Sequence, residues 1–108
     1  MQLPKLSHLQ FTVLGQLLGS PASGRDIRSR LRTFGAHKSG PAFYQLMARM
    51  EDAGLVEGWY EQQIVSGQII RERHYKIARN GQRAWQRSRD FYQKTISTFE
   101  PEKGLARV

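Results

Sequence analysis

The chain has 108 residues, the size of one domain, and its apolar fraction of 39% supports a single modest core. Its 17 lysines and arginines outnumber 9 aspartates and glutamates, and the net charge of +8 favours a polyanionic partner, nucleic acid or an anionic membrane surface, over a charge that serves only solubility. The lack of cysteine excludes a disulfide framework and a thiolate metal site, and the longest apolar stretch, Phe11 to Leu18, is too short to cross a membrane.

The first predicted helix runs from about Ser7 to Leu18, and Ser7 and Gln10 have the spacing of a capping box. Its apolar residues form two stripes, one of Leu6, Leu9, Val13 and Leu17 and the other of Phe11, Leu14 and Leu18. Together the stripes cover more than half of the helix circumference, which is more than one small core needs. The pattern therefore predicts a second apolar partner for this helix.

The second predicted helix follows the break at Gly19-Ser20-Pro21 and runs from Gly24 to Phe34, with Ser23 as its N-cap. Ile27, Leu31 and Phe34 are expected to point inward, and Arg25, Arg28 and Arg32 outward. Gly35 ends the helix, and a short link through His37 leads to the next one.

The third predicted helix starts at the caps Ser39 or Gly40, has Pro41 in its first turn, and ends at Ala53 before Gly54. Phe43, Leu46, Met47 and Met50 share one face, whereas Pro41, Gln45 and Ala48 lie on the opposite face, flanked by Tyr44 and Arg49. Small and polar residues at the front of a helix, facing away from the core, suit a DNA major groove. The second and third helices together predict a helix-turn-helix.

Two extended segments follow, Leu55 to Gln63 and Ile69 to Ala78, with Ser66-Gly67 between them. They predict a two-stranded hairpin whose tip lies at residues 65–68. Its returning strand is basic, with Arg71, Arg73, His74 and Lys76. A helix-turn-helix followed by a basic hairpin is the outline of a winged helix.

The last predicted helix starts between Arg79 and Gly81 and ends near Phe99, before Pro101. One face carries Ala84, Trp85, Ser88, Phe91, Tyr92, Thr95, Ile96 and Phe99, and the other carries Arg83, Arg87, Asp90 and Lys94. We expect one structural domain of mainly α (α+β) class: a winged-helix DNA-binding part at 1–78, a helix for dimerisation at 79–99 and a loose tail at 100–108.

The order of elements and a motif within it resemble the PadR-like family of transcriptional regulators. Members carry Gly-x-Φ-Tyr-x-x-Φ-x-Arg-Φ-Glu-x-x-Gly-Leu-Φ, where Φ is apolar, and the stretch from Pro41 to Val56 matches it with Tyr44, Arg49, Glu51, Gly54 and Leu55 in place. Trp59, the returning strand from Arg71 to Ile77 and the glycine at Gly81 also match. The resemblance covers about Ser7 to Phe99.

Two positions depart from the family pattern. Ala78 stands where many members have a threonine that caps the last helix, so Asn80 is expected to cap it instead. Pro41 is also less usual in the recognition helix. The resemblance implies a homodimeric winged-helix repressor, the short form with a single C-terminal helix, whose third helix enters the major groove. It also implies a wing that touches the DNA backbone or minor groove, and in several relatives a small aromatic effector at the dimer interface.

The candidate DNA-binding residues are Lys38, Ser39, Gly40, Pro41, Tyr44, Gln45, Arg49, Arg71 and Arg73. Tyr44 is expected on a phosphate, with a half-buried packing role as the alternative. Gln45 can pair with adenine, or it is a solvated polar residue. Lys38 and Ser39 either meet a phosphate at the helix N-terminus or serve as a surface charge and a cap. Arg71 and Arg73 alternate on one strand face and are expected on the backbone, unless that face is simply solvated.

The candidate residues for a dimer interface or effector pocket are Phe11, Leu14, Leu18, Trp85, Ser88, Phe91, Tyr92, Ile96 and Phe99. Flat rings such as Trp85 and Tyr92 can stack on an aromatic ligand, but an aromatic stripe at helical spacing more often forms a core. Both interpretations remain open. The expected partners are double-stranded DNA, a second copy of the chain and a small aromatic ligand.

The sequence argues against an enzyme, a cofactor or a metal. No Ser/His/Asp set or glycine-rich phosphate loop is present, and His8, His37 and His74 lack the spacing of a zinc site. The N-terminus lacks the blocks of a signal peptide, so we expect a cytoplasmic protein without a membrane partner. A second class of function stays open beside the repressor: a basic winged helix used as a protein-interaction or RNA-binding module.

Overall fold

The computed structural model describes residues 2–101. Its elements in chain order are α1 (His8–Gln16), β1 (Ala22–Ser23), α2 (Gly24–Thr33), α3 (Gly40–Asp52), β2 (Val56–Val65), β3 (Gln68–Ile77) and α4 (Arg79–Phe99). The four predicted helices and the predicted hairpin are confirmed. The expected tail from residue 102 onward lies outside the described residues.

Serine side chains start the first three helices. Ser7 and Gln10 form the predicted capping box, with the Gln10 amide donating to the Ser7 hydroxyl at 3.1 Å. Ser23 accepts from the Asp26 amide, and Ser39 accepts from the Ala42 amide. Each cap pairs one of the amide groups that a helix leaves unpaired at its first turn.

The fourth helix starts without such a cap, so the prediction that Asn80 caps it is wrong. Ala78 is the N-cap residue, and no side chain bonds to the first turn. A tertiary approach fixes this start instead, because the Ala78 amide donates to the Leu55 carbonyl at 3.0 Å. Gly81 lies so close to that same carbonyl that any Cβ would overlap it.

The sheet has three antiparallel strands in the order β1-β3-β2, whereas the sequence predicted only the two strands of the wing. Ala22 pairs with Tyr75 and Ser23 with His74, so β1 anchors the wing to the start of α2. At the far end of the hairpin, Ser66 and Gly67 have φ of 50° and 77°. Two consecutive positive φ angles form the two-residue type I′ turn that matches strand twist.

One buried core joins the first three helices to the base of the sheet. Its largest members are Val13, Leu14, Leu17, Ile27, Leu31, Phe43, Met47, Met50, Val56 and Tyr75. The expectation that Phe34 points inward is wrong, because α2 ends at Thr33 and the Phe34 side chain is 72% exposed. After the last turn of α2, the Ala36 amide donates to the Leu31 carbonyl, and Gly35 has a φ of 84°.

The molecule is elongated, with principal extents of 61 × 28 × 24 Å and a radius of gyration of 17.2 Å. A compact chain of this length would have a radius of gyration of about 13 Å. The wing hairpin and α4 extend beyond the core and account for the difference. None of the helices within residues 2–101 has the length and apolarity that a membrane crossing needs.

Candidate nucleic-acid interface

The outer face of α3 is the exposed surface that the sequence predicted. Phe43, Met47 and Met50 are fully buried, which holds the helix against the core. The opposite face therefore points to solvent, and its exposed residues are Pro41, Tyr44, Gln45, Ala48 and Arg49. Small side chains at two of these positions leave the helix front free to approach another surface closely.

The turn before α3 is held by an arginine that the sequence placed in solvent. Arg28 is half-buried, and its Nε donates to the Lys38 carbonyl at 2.8 Å. This bond fixes Lys38 and the cap Ser39 at the first turn of α3. The amide groups and the positive end of the helix dipole at that turn favour an anion.

Tyr44 lies between α3 and the N-terminus of α2. Its ring packs edge-on against Phe43 at 5.1 Å between ring centroids. A Cβ at Gly24 would lie only 2.8 Å from the Tyr44 hydroxyl oxygen, so the glycine makes room for the ring. The hydroxyl thus stands beside the first turn of α2 while the side chain remains 41% exposed. Both expectations for Tyr44, half-buried packing and a hydroxyl free for a phosphate, are compatible with this position.

The wing presents one face toward α3, formed by alternate residues of its strands. On this face Arg71 and Arg73 flank Tyr60, with guanidinium carbons 4.6 Å and 4.8 Å from the ring centroid. Such distances are typical of cation–π contacts. The two arginines differ in their partners: Arg71 is exposed, whereas the guanidinium of Arg73 donates to both carboxylate oxygens of Glu51 at 2.7 and 2.9 Å.

The Glu51–Arg73 ion pair joins the end of α3 to the middle of β3. Gly58 makes it possible, because a Cβ on that residue would overlap the Glu51 carboxylate. Burial alone would lower the pKa of Arg73, but the hydrogen bonds and charge of Glu51 outweigh it and raise the pKa. Burial raises the pKa of Tyr75 beside it, and the hydrogen bond to Arg73 opposes that shift. Arg73 is therefore a permanent cation whose charge is already matched.

A second group of charges covers the other face of the wing. Arg25 pairs with Glu72, and His74 Nε2 lies 3.4 Å from a Glu61 carboxylate oxygen. The Trp59 indole donates to Glu61 at 3.1 Å and stacks near His74. This face therefore carries acidic groups. It is less suited to binding a polyanion than the face that carries Arg71.

The packing of α1 on α4 is aromatic. The Phe11 and Trp85 rings are stacked at 5.3 Å with an interplanar angle of 4°, and the Tyr92 ring meets Phe11 edge-on at 5.9 Å. Phe91 packs against Tyr92 in turn. Gly15 lies directly under the Trp85 indole nitrogen, which lets the two helices approach.

The nine residues predicted for a dimer interface or effector pocket divide into three sets by exposure. Leu14 and Ser88 are buried within the single chain and present no surface to a partner, although Ser88 lines a cleft of ≈ 820 Å³ between the N-terminal segment and α4. The exposed members lie along the end of α1 and the second half of α4: Leu18, Tyr92, Ile96 and Phe99. The remaining members, Phe11, Trp85 and Phe91, are half-buried.

The second half of α4 is exposed because α4 is much longer than α1, the helix that packs on it. With 9 residues α1 is about 14 Å long, whereas α4 with 21 residues is about 32 Å long. One short helix covers only the first half of a long one. Two polar atoms on the α4 side of this contact also lack partners among residues 2–101: the Trp85 indole nitrogen and the Ser88 hydroxyl.

Several residues of the two sites were not predicted from the sequence. Gly24, Gly58, Tyr60 and Glu72 act by making room for, or pairing with, predicted residues. The sequence could have indicated Tyr60, because it is an aromatic residue in β2 that lies opposite the basic strand β3. Within residues 2–101 no group of His, Asp and Glu side chains could hold a metal ion.

No protein-family model matches the chain, and no curated protein matches it. Solved structures do resemble it. A PadR family transcription regulator from hypervirulent Clostridium difficile R20291 superimposes with a TM-score of 0.69 at 18% identity, over 88% of this chain and 100% of that one. A PadR-like transcriptional regulator from Bacillus cereus strain ATCC 14579 gives a TM-score of 0.67 at 19% identity, over 87% and 93%.

A third structure is Bacillus subtilis PadR in complex with operator DNA, with a TM-score of 0.59 at 19% identity over 80% of this chain. This chain spans about half of that protein, 47%. At these identities the likeness shows the fold. The chain therefore has the winged-helix fold of PadR-family regulators.

Proposed function

We propose that the chain is a DNA-binding transcriptional regulator, a repressor that binds a pseudo-palindromic operator as a homodimer. One observation carries the proposal: Tyr44 and Ala48 on the outer face of α3 line one cleft together with the exposed Arg71 of the wing, in a chain with a net charge of +8. A fold shared with proteins described as transcriptional regulators, one of them solved with operator DNA, supports it. In the proposed protein, residues 1–78 form the part that binds DNA, and residues 79–99 form the helix that holds the dimer together.

In this proposal α3 lies in the major groove and Gln45 reads the bases. Gln45 is exposed on the outer face, one turn from the start of the helix, and a glutamine can make two hydrogen bonds to adenine. Lys38, Ser39 and the Tyr44 hydroxyl stand beside the first turns of α3 and α2, where phosphate oxygens are favoured. Arg49 follows on the same face, toward the end of the helix.

The wing adds backbone contact through Arg71, because that guanidinium is exposed and carries no carboxylate partner among residues 2–101. Arg73 has a different role here. Its pairing with Glu51 fixes the wing relative to α3. The wing then presents Arg71 at a set distance from the recognition helix.

The exposed half of α4 supports the homodimer part of the proposal. Tyr92, Ile96 and Phe99 continue the apolar face that Trp85 begins, and a second copy of the chain can cover them by symmetry. Two recognition helices then face successive major grooves, so half-sites should lie about 10 bp apart or at a multiple of that spacing. A repressor of this kind acts by occupying promoter DNA.

A small aromatic effector is the finer part of the proposal. The stacked Phe11 and Trp85 rings and the edge-on Tyr92 form an aromatic group at the base of the same α4 face. The Trp85 indole N–H there lacks a partner within the described chain and can donate to a polar ring substituent. A ligand held between the copies would change the separation of the two recognition helices and release the DNA.

Selection of genomic fragments by the purified protein tests the proposal. We expect a discrete fragment that survives excess competitor DNA at moderate salt, and nuclease protection of a pseudo-palindrome within it. Affinity should fall steeply with salt, because each phosphate contact releases counterions. If no fragment is retained, the chain is instead a protein-interaction or RNA-binding module. Sedimentation at micromolar concentration should give about twice the chain mass of 12.5 kDa.

A further inference from the structure

The wing tip, residues 62–71, carries an exposed apolar pair that the proposed function leaves unused. Ile64 of β2 lies directly opposite Ile69 of β3, and the two side chains are 78% and 70% exposed. Strand alternation puts both on the face that also carries Tyr60 and Arg71. The pair is thus an unpartnered apolar surface on the side of the wing that faces α3.

The composition of the wing tip favours DNA as its occupant. Arg71 is the only charged residue in the ten-residue stretch, so no carboxylate opposes a polyanion there. The other polar side chains are the amides of Gln62, Gln63 and Gln68 and the hydroxyl of Ser66. Arginine and glutamine are side chains that proteins use in the minor groove, where A·T pairs show only hydrogen-bond acceptors.

The shape of the hairpin allows the tip to enter the minor groove. The two-residue turn at Ser66 and Gly67 makes the end of the wing only two strands wide, with a strand spacing of about 4.8 Å. From Arg73, where the ion pair with Glu51 fixes the wing to α3, four residues of β3 reach Ile69, a distance of about 13 Å. Major and minor grooves alternate about every 17 Å along one DNA turn, so α3 and the wing tip can occupy neighbouring grooves.

The PadR-like resemblance already implies that the wing touches the DNA backbone or minor groove. We propose that the apolar pair Ile64 and Ile69 at its tip presses against a base step there and bends the duplex. This inference rests on the DNA-binding function proposed above. Apolar side chains inserted in this way unstack a step and kink the duplex by roughly 20–90°. The operator would then prefer easily deformed steps, such as TA, at positions that α3 does not contact.

Bending of an end-labelled duplex, measured by energy transfer, tests the role of the pair. We compare the full chain with the double variant Ile64→Thr/Ile69→Thr, which keeps β-branched residues in the strands but removes the apolar ends. Val65→Thr is the matched control, because Val65 is adjacent and 47% exposed but lies on the opposite face. Thermal melting of each variant confirms that the fold is retained.

The double variant should lose most of the bend and bind the selected operator about tenfold more weakly, because two large apolar side chains lose their burial. Its salt slope should stay unchanged, since no phosphate contact is removed. Val65→Thr should match the parent chain. An unchanged bend and affinity in the double variant overturns the inference, as does a change in its oligomeric state, which would make the tip a contact between copies.

Base-pair analogues then locate the contact. Inosine–cytosine pairs keep the minor-groove surface of A·T pairs but show the major-groove surface of G·C pairs, because inosine lacks the amino group of guanine. About half a turn from the α3 contact, I·C should be tolerated and G·C should weaken binding several-fold. Equal sensitivity to both replacements overturns the inference. If the parent chain retains no duplex at all, the DNA-binding proposal itself has failed.

Discussion

The two candidate functional regions of this chain, around α3 and the wing and between α1 and α4, differ in how many of their polar groups have partners within the chain. Around α3, several polar groups have partners: Glu51 pairs with Arg73 of the wing, Arg28 donates to the Lys38 carbonyl before the helix, and Ser39 caps it. Where α1 meets α4, the Trp85 indole nitrogen has none among residues 2–101.

The comparison indicates which region needs a second molecule to finish its packing. A surface that meets DNA must be ordered before binding, because its affinity depends on charges held at set positions. A surface that joins two copies can leave apolar area open until they meet. In the function proposed above, the α3–wing region has the first role and the α1–α4 region has the second. Each prediction below tests that assignment.

The largest effect is expected from Tyr92→Glu. A carboxylate at this position would be buried without a partner when two copies associate, which costs several kcal/mol. Sedimentation should change from about 25 kDa to about 12.5 kDa at micromolar concentration. Arg83→Glu, on the polar face of the same helix, is the control and should keep the heavier species. Tyr92→Glu that still sediments as a dimer would remove α4 from the interface.

Local signals explain why most of the fold was predictable. Serine caps at Ser7, Ser23 and Ser39 mark helix starts, and glycines with positive φ, such as Gly35 and Gly54, mark helix ends. These signals act within four or five residues, so the sequence shows them directly. Periodicity then assigned the buried face of α3 correctly.

What the sequence did not reveal depends on contacts between distant segments. The two-residue strand β1 is too short for an alternating pattern and exists only by pairing with β3. Glu51 and Arg73 are 22 residues apart, so their pairing, and with it the distinction between Arg71 and Arg73, appears only once the chain has folded. Asn80 looked like a cap because its type favours one, but the approach of Gly81 to Leu55 decides where α4 begins.

A smaller effect is expected at the surface proposed to meet DNA, where Gln45→Ala and Arg71→Ala should act differently. Loss of Gln45 should cost roughly 1–3 kcal/mol at one operator position and change the preferred base there. Loss of Arg71 should weaken all sequences about equally and lower the salt slope by about one. Binding-site selection and salt titration with both variants measure this. A changed base preference for Arg71→Ala alone would make the wing the element that reads sequence.

Tyr44→Phe extends the same test. Its hydroxyl is expected on a phosphate, so this variant should resemble Arg71→Ala in affecting all sequences alike. The ring itself fills the space over Gly24, and phenylalanine keeps that packing. Melting temperature should therefore stay close to that of the parent chain. A large drop in melting temperature would assign the hydroxyl to the fold rather than to DNA.

The smallest effect is expected from the Glu51–Arg73 ion pair, which joins the two parts of the proposed DNA-binding surface. Both partners are partly exposed, so a double-mutant cycle of Glu51→Ala and Arg73→Ala should give a coupling of about 1 kcal/mol in unfolding free energy. If Arg73 only positions the wing, either variant should weaken operator binding to a similar extent without changing the salt slope. If Arg73 instead touches a phosphate, only its own variant should lower that slope. Arg73→Lys separates these outcomes further, because lysine keeps the charge but is shorter and lacks the planar guanidinium that lies over Tyr60 while it holds Glu51. A lysine variant with full affinity would show that charge alone suffices and that the α3–wing geometry does not depend on this pair.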